Sequence, residues 1–276
     1  MSTIRGARER TRVTEIECKT ALSPSRLPGF DYTLNPYRGC EHGCKYCYVP
    51  NILRITRKEW GEFVEIRRNI PKVLANELKN KKIGVVGIST VTDPYQPLEK
   101  SYKLTQYCLK QLLRYDFPVS ILTKSALVTR DVDLLSKFSD AEVGFTITTY
   151  DDSERRLLEP NTSSIKSRIA AMEKCSENGI TTYAFLGPLY PTVDEDGLTK
   201  LVEKVKDAGA SKIMADRLNL RPGIWKTVHN SFGKDNTFGN IWKQAVFGEN
   251  KGYYMLFNLL KKICREKGIE FEMEGY

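Results

Sequence analysis

Three cysteines stand close together in Arg38-Gly39-Cys40-Glu41-His42-Gly43-Cys44-Lys45-Tyr46-Cys47-Tyr48. Their spacing is C-x3-C-x2-C, with a glycine directly before Cys40 and another before Cys44. Glycine lets a backbone fold closely around a bound group. Three converging thiolates suit a metal or a cluster. They can ligate three irons of a [4Fe–4S] cluster and leave the fourth open to an exogenous ligand, whereas an electron-transfer cluster usually takes four cysteines. The competing chemistry is structural zinc, which needs four protein ligands. His42 is the candidate fourth, yet it lies inside the loop itself, and no second C-x2-C or H-x3-H pair occurs.

The rest of the composition narrows the class. The chain has 276 residues, 7 cysteines and a formal charge of +9, with 28% charged and 41% hydrophobic residues. That balance is neither disordered nor low in complexity. Apolar runs are too short to span a bilayer, so no membrane contact is expected. The segment MSTIRGARERTRV has no apolar core of a secretory leader, so a cytoplasmic, reducing setting is expected. The four cysteines outside the triplet are far apart: Cys18, Cys108, Cys175 and Cys264. The last three fall on apolar helical stripes and read as small buried hydrophobes. With only His42 and His229, histidine catalysis has little to work with, and no phosphate loop of the G-K-[ST] type exists.

The charge is local. Residues 51–82 hold nine Lys/Arg against four Glu, while 83–220 is slightly acidic. Such a segment is a candidate footprint for nucleic acid, or else a solvated helix face. The aromatic residues Trp225, His229, Phe232, Phe238 and Trp242 in the tail could add stacking surfaces for bases.

The elements that must position these groups alternate. Short β-branched runs at 32–37, 83–88, 118–122, 141–148, 180–186 and 210–215 read as strands. Between them, Ser101–Tyr115, Asp131–Phe138, Ser163–Asn178 and Asp194–Ala208 read as helices. This rhythm, with continuously apolar strands, predicts an α/β fold with a parallel sheet. Six units are too few for a closed eightfold barrel. A curved, partial (β/α)6 barrel is expected, in one domain over 1–276 with its core at about 30–220. Residues 221–276 form an extension that includes an amphipathic helix at Gly252–Lys267. Asp151-Asp152 reads as an N-terminal cap for Ser153–Leu158 rather than as a substrate ligand.

The motifs taken together resemble the radical S-adenosylmethionine (SAM) superfamily, and within it the spore photoproduct lyase-like group. The resemblance rests on G-C-x-H-G-C-x-Y-C-Y at 39–48 and on Thr92-Asp93-Pro94-Tyr95-Gln96-Pro97 with Glu99. It extends through Thr123-Lys124-Ser125 to Leu158-Glu159-Pro160 with Ser163-Ser164 and Arg168. It implies a partial radical SAM barrel, a [4Fe–4S] cluster on Cys40, Cys44 and Cys47, and SAM at the open iron. It further implies one-electron reduction of SAM to a 5′-deoxyadenosyl radical, with a flavodoxin- or ferredoxin-type reductant.

By the same resemblance Tyr46 lies near the adenine, and Thr92 and Asp93 are candidates for the SAM amino group. Lys124 is the candidate for its carboxylate, with Arg168 as a second. Thr146 and Thr148 alternate along one strand and face one way, within reach of the ribose hydroxyls. Gly187-Pro188 would let the adenine approach the backbone. One departure stands out: lyases of this group carry a hydrogen-donor cysteine just before the Thr/Ser-Asp element, and here Thr90 and Val91 occupy that stretch. The alcohol O–H of Thr90 and the C–H bonds of Val91 are too strong for the role; the weaker phenolic O–H of Tyr95 makes it the nearby candidate substitute. The expected function is therefore a radical SAM enzyme with another substrate, nucleic acid being one candidate. The alternatives are modification of a protein, peptide or small metabolite, and a non-enzymatic Fe–S or zinc protein.

Overall fold

The computed structural model describes residues 3–5, 11–233, 237–248 and 252–273. Its strands are β1 Thr3–Arg5, β2 Arg12–Ile16, β3 Leu22–Pro24, β4 Tyr32–Leu34, β5 Tyr37–Arg38 and β6 Phe63–Arg67, followed by β7 Val86–Ile88, β8 Val119–Thr123, β9 Ala141–Thr146, β10 Thr181–Leu186, β11 Ala210–Ala215 and β12 Glu270–Met273. The main sheet runs β12-β11-β10-β9-β8-β7-β4-β3. Every pairing from β4 to β12 is parallel; only β3 is antiparallel to its neighbour. The order is open at both ends, as a partial barrel requires.

Register explains why the strands read as continuous apolar runs. Leu34 pairs with Ile88, Ile88 with Ile121 and Ile121 with Val143, and all four are buried. Helices cover the outer face. Leu104, Cys108, Leu109 and Leu112 of the helix Leu104–Leu113 are buried, as are Leu198, Leu201, Val202 and Val205 of the helix Glu195–Asp207. Each such side chain withdrawn from water contributes roughly 1.5–3 kcal/mol before entropy is charged. Cys108, Cys175 and Cys264 are fully buried among them, as expected of small hydrophobes.

Three features depart from the sequence reading. The strand expected at 32–37 is broken into β4 and β5 by Asn35-Pro36, since proline brings no N–H to a ladder. β5 then joins a second sheet of order β1-β2-β6-β5 that the alternation did not foretell. The tail is not purely helical: β12 returns to pair in parallel with β11, aligning Phe271 with Ile213. The cap expected at Asp151 is present, while Asp131 precedes the short helix Val132–Leu135 without a side-chain cap bond. Asp151, Ser164 and Asp194 each accept a backbone N–H at the start of a helix. The amphipathic helix occupies Gly252–Lys267. Among the described residues no helix is long and apolar enough to cross a membrane.

Candidate active site

The groups nominated from sequence collect at the carboxyl ends of the parallel strands. The cysteine loop follows β4 and β5, Thr92 and Asp93 follow β7, Lys124 follows β8, and Thr146 and Thr148 lie at the end of β9. This is the edge where open and barrel-forming parallel sheets hold ligands.

The cysteine loop is held tightly. Gly39 has φ +87°, and a Cβ there would collide with the Phe63 carbonyl oxygen. Cys40 and Cys44 are buried, and Cys47 is half-buried. Burial pushes the Cys44 thiol well up and the Cys47 thiol up to about 11. The Val49 backbone hydrogen-bonds the Cys47 sulfur. The three sulfurs influence one another electrostatically, so they share one pocket. Yet among the described residues no three His, Cys, Asp or Glu side chains converge tightly enough to hold a single metal ion. The donor set itself, three thiols with the one neighbouring imidazole, His42, lying 3.3 Å from Asp93, fits a cluster held by three cysteines better than zinc with four protein ligands.

Asp93 lies beneath the loop, 7% exposed. Oδ1 accepts from the Tyr95 N–H at 2.9 Å and the Thr123 hydroxyl at 2.8 Å. Oδ2 accepts from the Lys124 N–H at 2.8 Å and stands 3.3 Å from His42 Nδ1. That last contact is ionic in reach without hydrogen-bond alignment. A carboxylate offers about four acceptor sites, and all four directions here meet protein groups. Burial works against the charge of Asp93, but the His42 imidazole, the Lys124 amide and the Lys124 ammonium outweigh it and hold the carboxyl down to about 2. Thr92 is similarly engaged: its hydroxyl donates to the Gly39 carbonyl at 2.8 Å and accepts from Gln96 Nε2 at 3.1 Å.

Lys124 is different. Its Nζ reaches Thr146 Oγ1 at 3.4 Å and sits 5.8 Å from the centre of the Tyr46 ring. Burial disfavours its charge, but Cys44, Glu159 and Asp93 restore it and raise its pKa. Among the described residues no carboxylate lies within ion-pair distance of that ammonium. Tyr46, 7% exposed, donates its hydroxyl to Glu159 Oε1 at 2.5 Å, and Thr148 donates to the same oxygen at 3.1 Å. Thr146 and Thr148 thus face the same cluster of groups.

Sequence reasoning missed Glu159 as the centre of this network. It also misjudged Arg168. That guanidinium is fully buried, ion-paired to Glu159, and bonded to the Thr146 and Ser163 carbonyls. The ring of Phe185 lies where a Cβ of Gly187 would be, so the close approach of this side chain already requires glycine there. Tyr95 is buried with its ring under the Arg130 guanidinium, among Glu99 and Asp131. The charges around its hydroxyl are not those around the cysteines. The tail aromatics pack on one another: Phe232 and Trp242 are buried, with Trp225 edge-on to Phe247 at 5.1 Å. Trp242 also donates to Glu154 Oε1 at 2.9 Å and meets Tyr190 at 5.2 Å, so the extension forms a wall behind the site.

The basic segment is divided by the fold. Arg57 donates to the Cys47 carbonyl at 2.9 Å, and Arg54 and Lys58 are exposed beside it. Lys81 stacks over Tyr32 at the start of β4, and Lys82 precedes β7, at the opposite end of the strands.

Comparison with known proteins agrees with this geometry. The family model described as Radical SAM superfamily matches residues 34–205. An uncharacterized protein of Methanocaldococcus jannaschii is 40% identical over 181 residues, covering 65% of this chain and 68% of its own length. A radical SAM Nalpha-GlyT isomerase of Pseudomonas phage M6 is 24% identical over 225 residues, 78% of this chain and 46% of that protein. Among solved structures, spore photoproduct lyase with bound AdoMet and dinucleoside spore photoproduct superposes with a TM-score of 0.67 at 16% identity, covering 96% of this chain and 81% of that one.

Proposed function

Because the chain belongs to the radical SAM superfamily, and so is an enzyme that uses a [4Fe–4S] cluster and SAM, we propose a specific division of labour at its site and a nucleic-acid substrate. Cys40, Cys44 and Cys47 hold the cluster. When bound and reduced, the cluster would supply the electron that breaks the S–C5′ bond of SAM, giving methionine and a 5′-deoxyadenosyl radical. Lys124 binds the carboxylate of SAM. The observation that carries this assignment is its half-buried ammonium, bonded to Thr146 Oγ1 and, among the described residues, without a carboxylate within ion-pair distance, since a charge withdrawn from water is costly until paired. Tyr46, Thr146 and Thr148 line the same space. Asp93 and Thr92 brace the loop and the strand ends, their acceptor and donor positions being engaged within the protein. The buried walls contributed by Tyr46, Tyr190 and Trp242 exclude water from a reactive radical.

Nucleic acid is favoured as substrate by the rim beside the cluster loop. Arg54 and Lys58 are exposed there, with Tyr48 at 44% and Ile52 at 45% exposure. Basic and aromatic groups together suit a phosphate backbone with unstacked bases. Dimer repair of the lyase type is not the proposed reaction, since Thr90 and Val91 stand in place of a hydrogen-donor cysteine. Binding of the reconstituted protein to single- and double-stranded oligonucleotides tests the substrate class. Affinity that falls steeply between about 50 and 200 mM salt is the expected result. No affinity at low salt would turn the reading to a peptide or metabolite, and SAM-dependent repair of a thymine dimer would overturn the exclusion.

A further inference from the structure

We propose that Glu159 is a positioning residue for SAM, acting through Tyr46; this rests on the reading above that Tyr46 borders the cofactor. Glu159 caps the carboxyl end of the helix Asp152–Leu158 and is completely buried. Its Oε1 accepts from Tyr46 at 2.5 Å and Thr148 at 3.1 Å. Its Oε2 accepts from Arg168 and from Thr162 at 3.3 Å. One carboxylate therefore joins the cysteine loop, the end of β9 and two helices. A backbone bond from Lys45 N–H to the Leu158 carbonyl at 2.8 Å lies beside it, so the loop is pinned at two adjacent points.

Packing alone does not require this arrangement. A buried ion pair is weak evidence of stability, because desolvation consumes most of the attraction. The pattern of bonds says more. Arg168 spends its other donors on the Thr146 and Ser163 carbonyls, so its charge is answered by Glu159. Among the described residues Lys124 then remains a cation beside Tyr46 and Thr146 without a carboxylate partner, whereas Arg57 is bonded to the Cys47 carbonyl and Asn51. The Tyr46 hydroxyl points at Glu159, so its ring, 5.8 Å from the Lys124 ammonium, is what the molecule presents to a ligand. Glu159 thus fixes the orientation of that ring and prevents a second uncompensated cation from competing for the anionic end of the cofactor.

The test uses the full chain with its cluster reconstituted anaerobically. SAM affinity is measured by equilibrium dialysis. The EPR spectrum of the reduced cluster is recorded with and without SAM. Glu159→Gln is expected to keep the iron content and the SAM-free spectrum, while SAM affinity falls on the order of tenfold. Tyr46→Phe, which leaves the Glu159–Arg168 pair intact, is expected to weaken binding by a similar factor. The double variant should be no weaker than the weaker single one, as for residues that act as a unit. Additive effects, or an unaltered SAM-induced spectral change in Glu159→Gln, would overturn the inference. If Glu159→Gln does not accept a cluster, Tyr46→Phe decides alone, and unchanged SAM affinity in that variant overturns it. A wild-type protein that holds its cluster yet binds no SAM would instead sink the site reading, and the inference with it.

Discussion

Asp93 Oδ2 accepts the backbone N–H of Lys124 at 2.8 Å, so a carboxylate after β7 fixes the first residue of the loop after β8. This bond places the ammonium of the site through its own main chain. Asp93→Asn replaces an acceptor by a donor facing N–H and O–H groups. A drop of about 2–3 kcal/mol is expected in urea unfolding of the cluster-free protein. A residue that served only to bind SAM would cost the apo-protein little. The sign with pH follows from the carboxyl held near 2. Its contribution is present above the ordinary carboxylate range and is lost as pH falls through that range toward 2. The gap between wild type and variant should therefore narrow on acidification.

Cysteine substitutions should separate into two groups. Cys40→Ala, Cys44→Ala and Cys47→Ala are each expected to abolish the visible absorbance of the reconstituted cluster. Cys108→Ala, Cys175→Ala and Cys264→Ala should retain full iron content and lose only about 1 kcal/mol of stability from the small voids they leave. Iron and sulfide analysis of the six variants checks both halves.

Gly39→Ala tests the closeness of the loop. The new Cβ would collide with the Phe63 carbonyl at a φ of +87°, and neither partner is a flexible side-chain end. The strain is on the order of 1–3 kcal/mol, and iron uptake should fall with it. Gly179→Ala also has positive φ but nothing within 4 Å. It should reconstitute normally.

Glu154 is buried, with neutral donors Thr192 and Trp242 as its partners, and burial raises its pKa. Above the ordinary carboxylate range the folded chain holds this proton more tightly than the unfolded one. Stability then declines as pH rises through that window. Glu154→Gln should remove the decline, gaining on wild type as pH rises above the ordinary carboxylate range in parallel urea titrations.

The two ends of the basic segment should behave differently in oligonucleotide binding. Arg54→Ser with Lys58→Ser is expected to lower the salt slope by about one for each phosphate that the rim no longer reaches. Lys79→Ser with Lys82→Ser, just before β7 at the other end of the strands, should leave the slope unchanged. Equal effects of the two pairs would refute the assignment of the rim.

Much of this molecule is written locally. The cysteine spacing, the parallel strands, the cap at Asp151 and the helix Gly252–Lys267 each depend on residues a few positions apart. Periodicity and side-chain chemistry report them directly. β5 and β12 were not legible, because a two-residue strand and a Glu-Phe-Glu-Met segment acquire their identity only from the strand beside them. The basic segment misled for a related reason: contiguity in sequence hides that Arg54 and Lys82 lie at opposite ends of the sheet.

The sequence by itself determined the kind of chemistry, since only a thiolate triplet of that spacing in that loop suits an open-sited cluster. Tertiary structure decided which polar groups are free to serve it. Tyr46 and Glu159 stand 113 residues apart and become partners only when the loop and the helix end are brought together. Asp93 and Arg168 read as available charges in the chain, yet burial obliges each to satisfy its hydrogen-bonding capacity within the protein. Of the charged groups Asp93, Lys124, Glu159 and Arg168, Lys124 alone is left without an opposite charge in contact, because Asp93 bonds its backbone N–H while its ammonium reaches the Thr146 hydroxyl.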